Sequence, residues 1–259
     1  MHIRVRCYAE LNDFLAPDRR QRQIEVRLQA PAPVRHLIVS LGIPPTEVEL
    51  VLINGVSSGF EAGLADGDRV SLYPVFESLD VSPLLVVRRR PLRRVRFLAD
   101  AHLGGLARYL RLLGFDTLFA NDPGDARLAS IAAEEGRVLL SRDRQLLMRR
   151  AVTHGLYVPQ KRPRDQVSHV VERLDLYRAL RPFTRCTVCN GSLVSVEKRA
   201  LGAEIPPRVR SAFDRFWRCH GCGRVYWQGS HYARLRSFVE RLTERRAAGG
   251  EGVSDGAGM

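Results

Sequence analysis

Long apolar runs are missing from this 259-residue chain. No uninterrupted stretch approaches the ~20 residues that a membrane span needs. The opening Met-His-Ile-Arg lacks the apolar core of a signal peptide. These absences predict a soluble, cytoplasmic protein with no membrane partner. Lysine is scarce too: Lys161 and Lys198 stand alone among 41 basic residues, and the rest are arginines. That bias can follow genome composition and says nothing about function by itself. Hydrophobic residues make up an ordinary 45%, which argues against a disordered or fibrous chain. At roughly 100–200 residues per domain, the length predicts two domains, or three small ones.

The distribution of charge is more informative than its total. Residues 1–87 hold 8 arginines against 11 acids, a net of −3. Residues 88–259 hold 33 basic and 17 acidic residues, a net of +16. Such asymmetry points to parts with different partners, and a basic part points to nucleic acid or another anionic surface. Residues 88–96 carry six arginines in nine positions. They read as a linker (81–94), either a solvated connection or a phosphate-contacting strip that includes Arg93 and Arg94.

In the N-terminal part, residues 2–8 alternate as a strand, with Ile3, Val5 and Cys7 on one face. Residues 24–28 make a second strand and 33–41 a helix stopped by Gly42. Residues 48–53 make a third strand, ending at the turn Asn54-Gly55. Residues 69–73 follow the turn Asp66-Gly67-Asp68. This order predicts a small α+β domain over 1–80. Its phrase LADGDRVSLYP resembles the ubiquitin-like β-grasp domains of the sulfur-carrier type. Those carriers end in a reactive Gly-Gly carboxylate. Here the chain runs on past Val75, so the resemblance implies a docking module, with a protein partner, rather than carrier chemistry.

From residue 95 strands and helices alternate, as in a parallel, doubly wound α/β sheet. Strands are expected at 95–99, 115–120, 137–141 and 156–158. Helices are expected at 103–113, 126–135, 144–150 and 165–174. Asp100, Asp122 and Asp143 each follow a predicted strand, and Asp125 sits as N-cap of the middle helix. Ligands of open parallel sheets bind beyond the carboxyl ends of the strands. Acids converging there repel one another, and a divalent cation relieves the repulsion. Oxygen ligands suit Mg²⁺ or Mn²⁺, which can support hydrolysis of a phosphodiester. Arg108 and Arg111 share one helix face, which reads either as a phosphate-contacting surface or as an ordinary exposed helix face, and Arg142, beside Asp143, is a further candidate for positioning the phosphate backbone. Glu135 is a weaker candidate for a further acid. His102 reads as a packing or capping residue.

The strings FLADAHLGGLARYLRLLGFDT and RVLLSRDRQLL resemble the PIN-like ribonuclease family named for the C-terminal domain of the Mut-seven exonuclease. Members often carry an N-terminal ubiquitin-like domain and a C-terminal zinc ribbon. The resemblance covers residues 2 to 245. It implies a metal-dependent nuclease over 95–180 with RNA as its favoured substrate. The family's first-strand acid falls on Asp100. The acid of its Ser/Thr-Arg-Asp motif falls on Asp143, and the acid opening the middle helix on Asp125. Asp122 is a further match.

Cys186-Thr-Val-Cys189 and Cys219-His-Gly-Cys222 are two C-x-x-C pairs with 29 residues between them. Two such pairs complete a tetrahedral sulfur site, which predicts structural zinc within a ribbon over 181–245. Spacing alone also admits iron. Four thiolates leave no open position for catalysis. Cys7 stands apart and reads as core; His220 and His231 are not needed as ligands. Tyr226, Trp227 and Tyr232 interleave with polar residues. They read either as the ribbon's small core or as stacking partners for single-stranded RNA. A terminal helix is expected over 232–242 and a disordered tail over 246–259. The sequence therefore predicts a ribonuclease, with a non-catalytic RNA-binding or ribosome-associated adaptor as the second reading.

Overall fold

Alternation at the N-terminus becomes strand β1 (His2–Cys7), with Ile3, Val5 and Cys7 buried and the residues between them exposed. It pairs antiparallel with β2 (Gln23–Arg27). Helix α1 (Val34–Ser40) follows Pro33 and stops at Gly42, whose φ of +77° only glycine adopts freely. Strands β3 (Leu50–Ile53) and β4 (Val56–Ser57) form a hairpin on Asn54-Gly55. Both turn residues have positive φ, the conformation a two-residue hairpin demands. Strand β5 (Arg69–Tyr73) runs parallel to β1 and antiparallel to β3. The sheet order is β2-β1-β5-β3-β4, a mixed β-grasp sheet. Val34, Leu37 and Ile38 of α1 pack against its buried face. Strand β4 and a 3-10 turn over Pro45–Glu47 were not expected; both are too short for periodicity to register.

The computed structural model describes residues 1–74, 95–119, 121 and 124–249, the last without the side chains beyond 244. The expected basic linker at 81–94 therefore lies outside the described residues, as does the tail from 250 onward. The α/β region contributes β6 (Phe97–Ala99), α2 (Gly104–Leu112), β7 (Thr117–Phe119), α3 (Gly124–Glu135), β8 (Val138–Ser141), α4 (Arg144–Met148), β9 (Gly155–Tyr157) and α5 (Pro163–Arg173). Its four strands lie in the order β7-β6-β8-β9 and run parallel. Every residue of β6 and β8 is buried, as expected for inner strands covered on both faces. Leu103, Leu106, Ala107, Leu110 and Leu113, the expected stripe, are all buried.

Two compact units emerge: residues 1–104 with 119–159, and residues 105–118 with 160–249 and onward. Within the first, the 3-10 segments of the β-grasp module, at Ala9–Phe14 and Pro45–Glu47, meet β9. Buried Glu47 accepts the Tyr157 amide. The Arg144 guanidinium lies 4.9 Å from the Phe14 ring centre and 5.0 Å from that of Tyr157. The ubiquitin-like module is thus packed against the strand that ends the parallel sheet.

The second unit is built around an antiparallel sheet of β10 (Leu193–Val196), β11 (Phe216–Cys219) and β12 (Val225–Trp227). Its small core joins Leu201, Ile205 and Phe216 to Val209, Phe213 and Trp227. Between β10 and β11 lie a 3-10 segment and α6 (Pro207–Ala212), which sequence periodicity did not resolve. Helix α7 (Ser230–Gly249) runs past the expected end at 242 and into the expected tail. Glu244, Arg245, Arg246, Ala247 and Ala248 are good helix formers, which extends it. Phe238 of α7 packs on Tyr109 of α2 at 4.9 Å between ring centres.

Candidate functional site

Parallel pairing of β6 with β8 sets their carboxyl ends side by side. Asp100 leaves β6 and Asp143 follows β8 by two residues. Asp100 is 5% exposed. One of its oxygens accepts the His102 amide at 2.8 Å, and the other accepts the Ser141 hydroxyl. Ser141 is fully buried, and its oxygen in turn accepts the Asp143 amide at 2.9 Å. Asp143 caps α4 through the Gln145 amide at 2.7 Å. One hydroxyl therefore joins both acids: it donates to the first and fixes the backbone of the second. Ser141 was not singled out by sequence, although the Ser-Arg-Asp string contained the signal.

The other expected residues fall as follows. Asp125 lies in the first turn of α3 rather than at its N-cap, because the helix starts one residue earlier, at Gly124. It faces Arg149 at 3.5 Å, with both side chains nearly half exposed. Asp122, Arg93 and Arg94 lie outside the described residues. Arg142 and Arg108 are exposed. Arg111, read with Arg108 as either a phosphate-contacting or an exposed helix face, is instead buried and structural. Its Nε donates to the Thr117 carbonyl at 2.9 Å, and its Nη1 to the carbonyl of Val188 at 2.7 Å. Burial lowers its pKa, an effect partly opposed by Cys186 and Cys189. Glu135 pairs with Arg137 at 2.8 Å, which occupies it structurally. His102 is exposed rather than packed, and its backbone amide donates to Asp100.

The four cysteines converge as their spacing implied. Their sulfurs all lie within 4.8 Å of one another. Cys189 and Cys219 are 3.3 Å apart, and Cys186 and Cys222 3.7 Å. A tetrahedral ion with ligands at about 2.3 Å requires sulfurs separated by roughly 3.8 Å. Amides of Cys189, Gly191 and Cys222 point at sulfurs at 3.4 to 3.5 Å, the pattern that stabilises thiolates. A Cβ on Gly191 would stand 2.9 Å from the Cys219 sulfur, so the turn requires glycine. Burial pushes the Cys186 thiol up, but the Tyr226 hydroxyl and nearby amides outweigh it and hold the pKa at about 6. The site fits a metal ion. Among the described residues, these cysteines are the group of three or more potential ligand side chains close enough to hold one.

The first cysteine turn is clamped to the segment after α2. Asn190, in left-handed conformation, donates to Asp116 at 2.8 Å and accepts the Thr117 amide at 3.0 Å. Arg185 donates to the Gly114 carbonyl at 3.2 Å and the Asn190 carbonyl at 2.9 Å. Within the second unit, these bonds tie the first cysteine turn to residues 114–117.

A parallel sheet with acids at neighbouring strand ends, preceded by a β-grasp sheet and followed by a four-cysteine ribbon, defines a PIN-like α/β protein with two further modules. Family models identify it more closely. The Mut7-C RNAse domain model matches residues 95–239, and the Mut7-C ubiquitin model matches residues 1–80. The chain belongs to the Mut7-C RNAse domain family. No curated protein and no solved structure gives a significant match. No described helix is long and apolar enough to cross a membrane.

Proposed function

We propose that this protein is a metal-dependent ribonuclease acting at Asp100 and Asp143. The observation that supports this most is the shared Ser141 hydroxyl, which holds two acids at adjacent strand ends. Asp125, which faces Arg149 and is not grouped with Asp100 and Asp143 among the described residues, and Asp122 would be further acids of the set. These oxygen donors would hold Mg²⁺ or Mn²⁺, which supplies charge neutralisation at the scissile phosphate and activation of water. Ser141 keeps the Asp100 carboxylate oriented, and the α4 N-terminus holds Asp143. Arg142, exposed beside Asp143, meets the RNA backbone, with Arg93, Arg94 and Arg108 as further contacts. Zinc on Cys186, Cys189, Cys219 and Cys222 braces the second unit. The ubiquitin-like module docks a protein partner, and the protein acts in the cytoplasm.

Asp100→Asn and Asp143→Asn test this reading. Each should abolish RNA cleavage in Mg²⁺ or Mn²⁺ while leaving RNA binding intact. Cleavage unchanged in both variants would defeat it. Binding without any cleavage by the native chain would favour the adaptor reading, to which the basic residues contribute equally.

A further inference from the structure

The second unit contains a cavity of about 800 Å³ whose walls combine aromatic faces with arginines. That size lies within the range of small-ligand sites, ~300–1,000 Å³. Six aromatic side chains line it: Tyr109 from α2, Phe183 from the loop before the first cysteine pair, Trp217 from β11, Tyr226 and Trp227 from β12, and Tyr232 from α7. Trp217, Trp227, Tyr226 and Tyr232 are only half-buried, so parts of their rings remain open to a ligand. Arg108, Arg185 and Arg224 also line it, and none of its residues is acidic. Arg185 is engaged with Asp116 at 3.9 Å and with backbone carbonyls. Arg108 and Arg224 are exposed and have no ion-pair partner among the described residues.

We propose that this cavity binds an unpaired nucleotide, with its base on the aromatic faces and its phosphate on Arg108 and Arg224. Stacking of an unpaired base on aromatic rings with arginine support is how sequence-tolerant single-strand binding works. A duplex keeps its bases stacked inside and cannot offer one. An acidic peptide would use the arginines but leave the rings unfilled. The same chemistry is offered by a free nucleotide and by a nucleotide within single-stranded RNA. The site uses none of the proposed catalytic acids. It extends the RNA reading above but does not depend on cleavage.

The chain has two tryptophans, Trp217 and Trp227, and both line the cavity. Intrinsic tryptophan fluorescence therefore reports on this site. The full-length Asp100→Asn chain, with its metal as purified, is titrated with AMP, with a short single-stranded RNA and with duplex RNA. Saturable quenching by AMP or by the single strand supports the proposal and identifies which source is used. Arg108→Glu combined with Arg224→Glu should weaken that binding about tenfold. Tyr232→Ala should weaken it at least about fivefold, the loss of one stacking partner. Trp227 is spared in these variants because it also packs on the ribbon core. No saturable change with AMP or single strand, or binding indifferent to all these variants, overturns the proposal. Equal binding of duplex would overturn it as well. Saturable quenching in a native chain that cleaves no RNA would sink the nuclease reading and leave this one standing.

Discussion

Removing the Ser141 hydroxyl is the sharpest perturbation of the acidic site. Ser141→Ala leaves the backbone of β8 and the buried volume nearly unchanged. It removes one hydrogen bond to the Asp100 carboxylate and one from the Asp143 amide. A hydrogen bond to a charged group contributes about 1.5–3 kcal/mol, and a neutral one about 0.5–1.5 kcal/mol. Asp100 is 5% exposed, so water cannot fully replace the lost donor. We therefore expect a loss of about 2–4 kcal/mol. For a protein of this size that lowers Tm by very roughly 2–4 °C per kcal/mol. RNA cleavage should fall about 10–100-fold, because the two acids lose their common anchor and small misplacements of reacting groups are costly. Ser141→Thr keeps the hydroxyl and should recover most of the activity, apart from the strain of one added methyl. Thermal unfolding and single-turnover cleavage are read side by side. A Ser141→Ala chain with native Tm and native cleavage would refute the idea that this hydroxyl organises the site.

Other expectations are as direct. Gly114 has φ +96°, and a Cβ there would meet the Arg181 carbonyl oxygen at 2.2 Å. Gly114→Ala should therefore cost at least ~2 kcal/mol, from left-handed strain plus overpacking, measured by denaturant unfolding. Cys219→Ser should remove nearly all bound zinc by metal analysis; a stoichiometric ion in that variant would exclude the four-cysteine site. Burial raises the Cys7 thiol from 9.0 to about 12. Its contribution is complete below pH 9 and is lost as pH rises towards 12, because the unfolded chain ionises first. The slope it adds is about 1.4 kcal/mol per pH unit. Stability curves of the native chain and Cys7→Ala should differ by that slope, and parallel curves would contradict it.

The sequence went furthest where periodicity or spacing carries the information. Ile3, Val5 and Cys7 alternate because one face of β1 is buried. The stripe from Leu103 to Leu113 marks the buried face of a helix. The C-x-x-C pairs named all four members of the sulfur cluster, since a tight turn brings each pair together whatever lies between them. Periodicity failed for short elements such as β4 and α6, where fewer than two turns or repeats exist to be counted. It also misread Arg111. Helical spacing placed it with Arg108, but only the returning cysteine turn, 70 and more residues later, supplies the Val188 carbonyl that buries it.

By itself, then, the sequence determined the order of the two matched family regions, Asp100 and Asp143 at neighbouring strand ends and the four cysteines that cluster. These depend on local periodicity and fixed spacing. Tertiary structure alone decided that Ser141 links Asp100 to Asp143, that Glu47 receives the Tyr157 amide, and that rings from α2, β11, β12 and α7 close around one cavity. Each of these joins residues brought together by chain crossing, and hydrogen bonds and ring contacts act over only a few ångströms. The +13 net charge belongs to the first kind of knowledge. Which arginines are buried, paired or open to a phosphate belongs to the second, because desolvation and pairing depend on neighbours that no stretch of sequence contains.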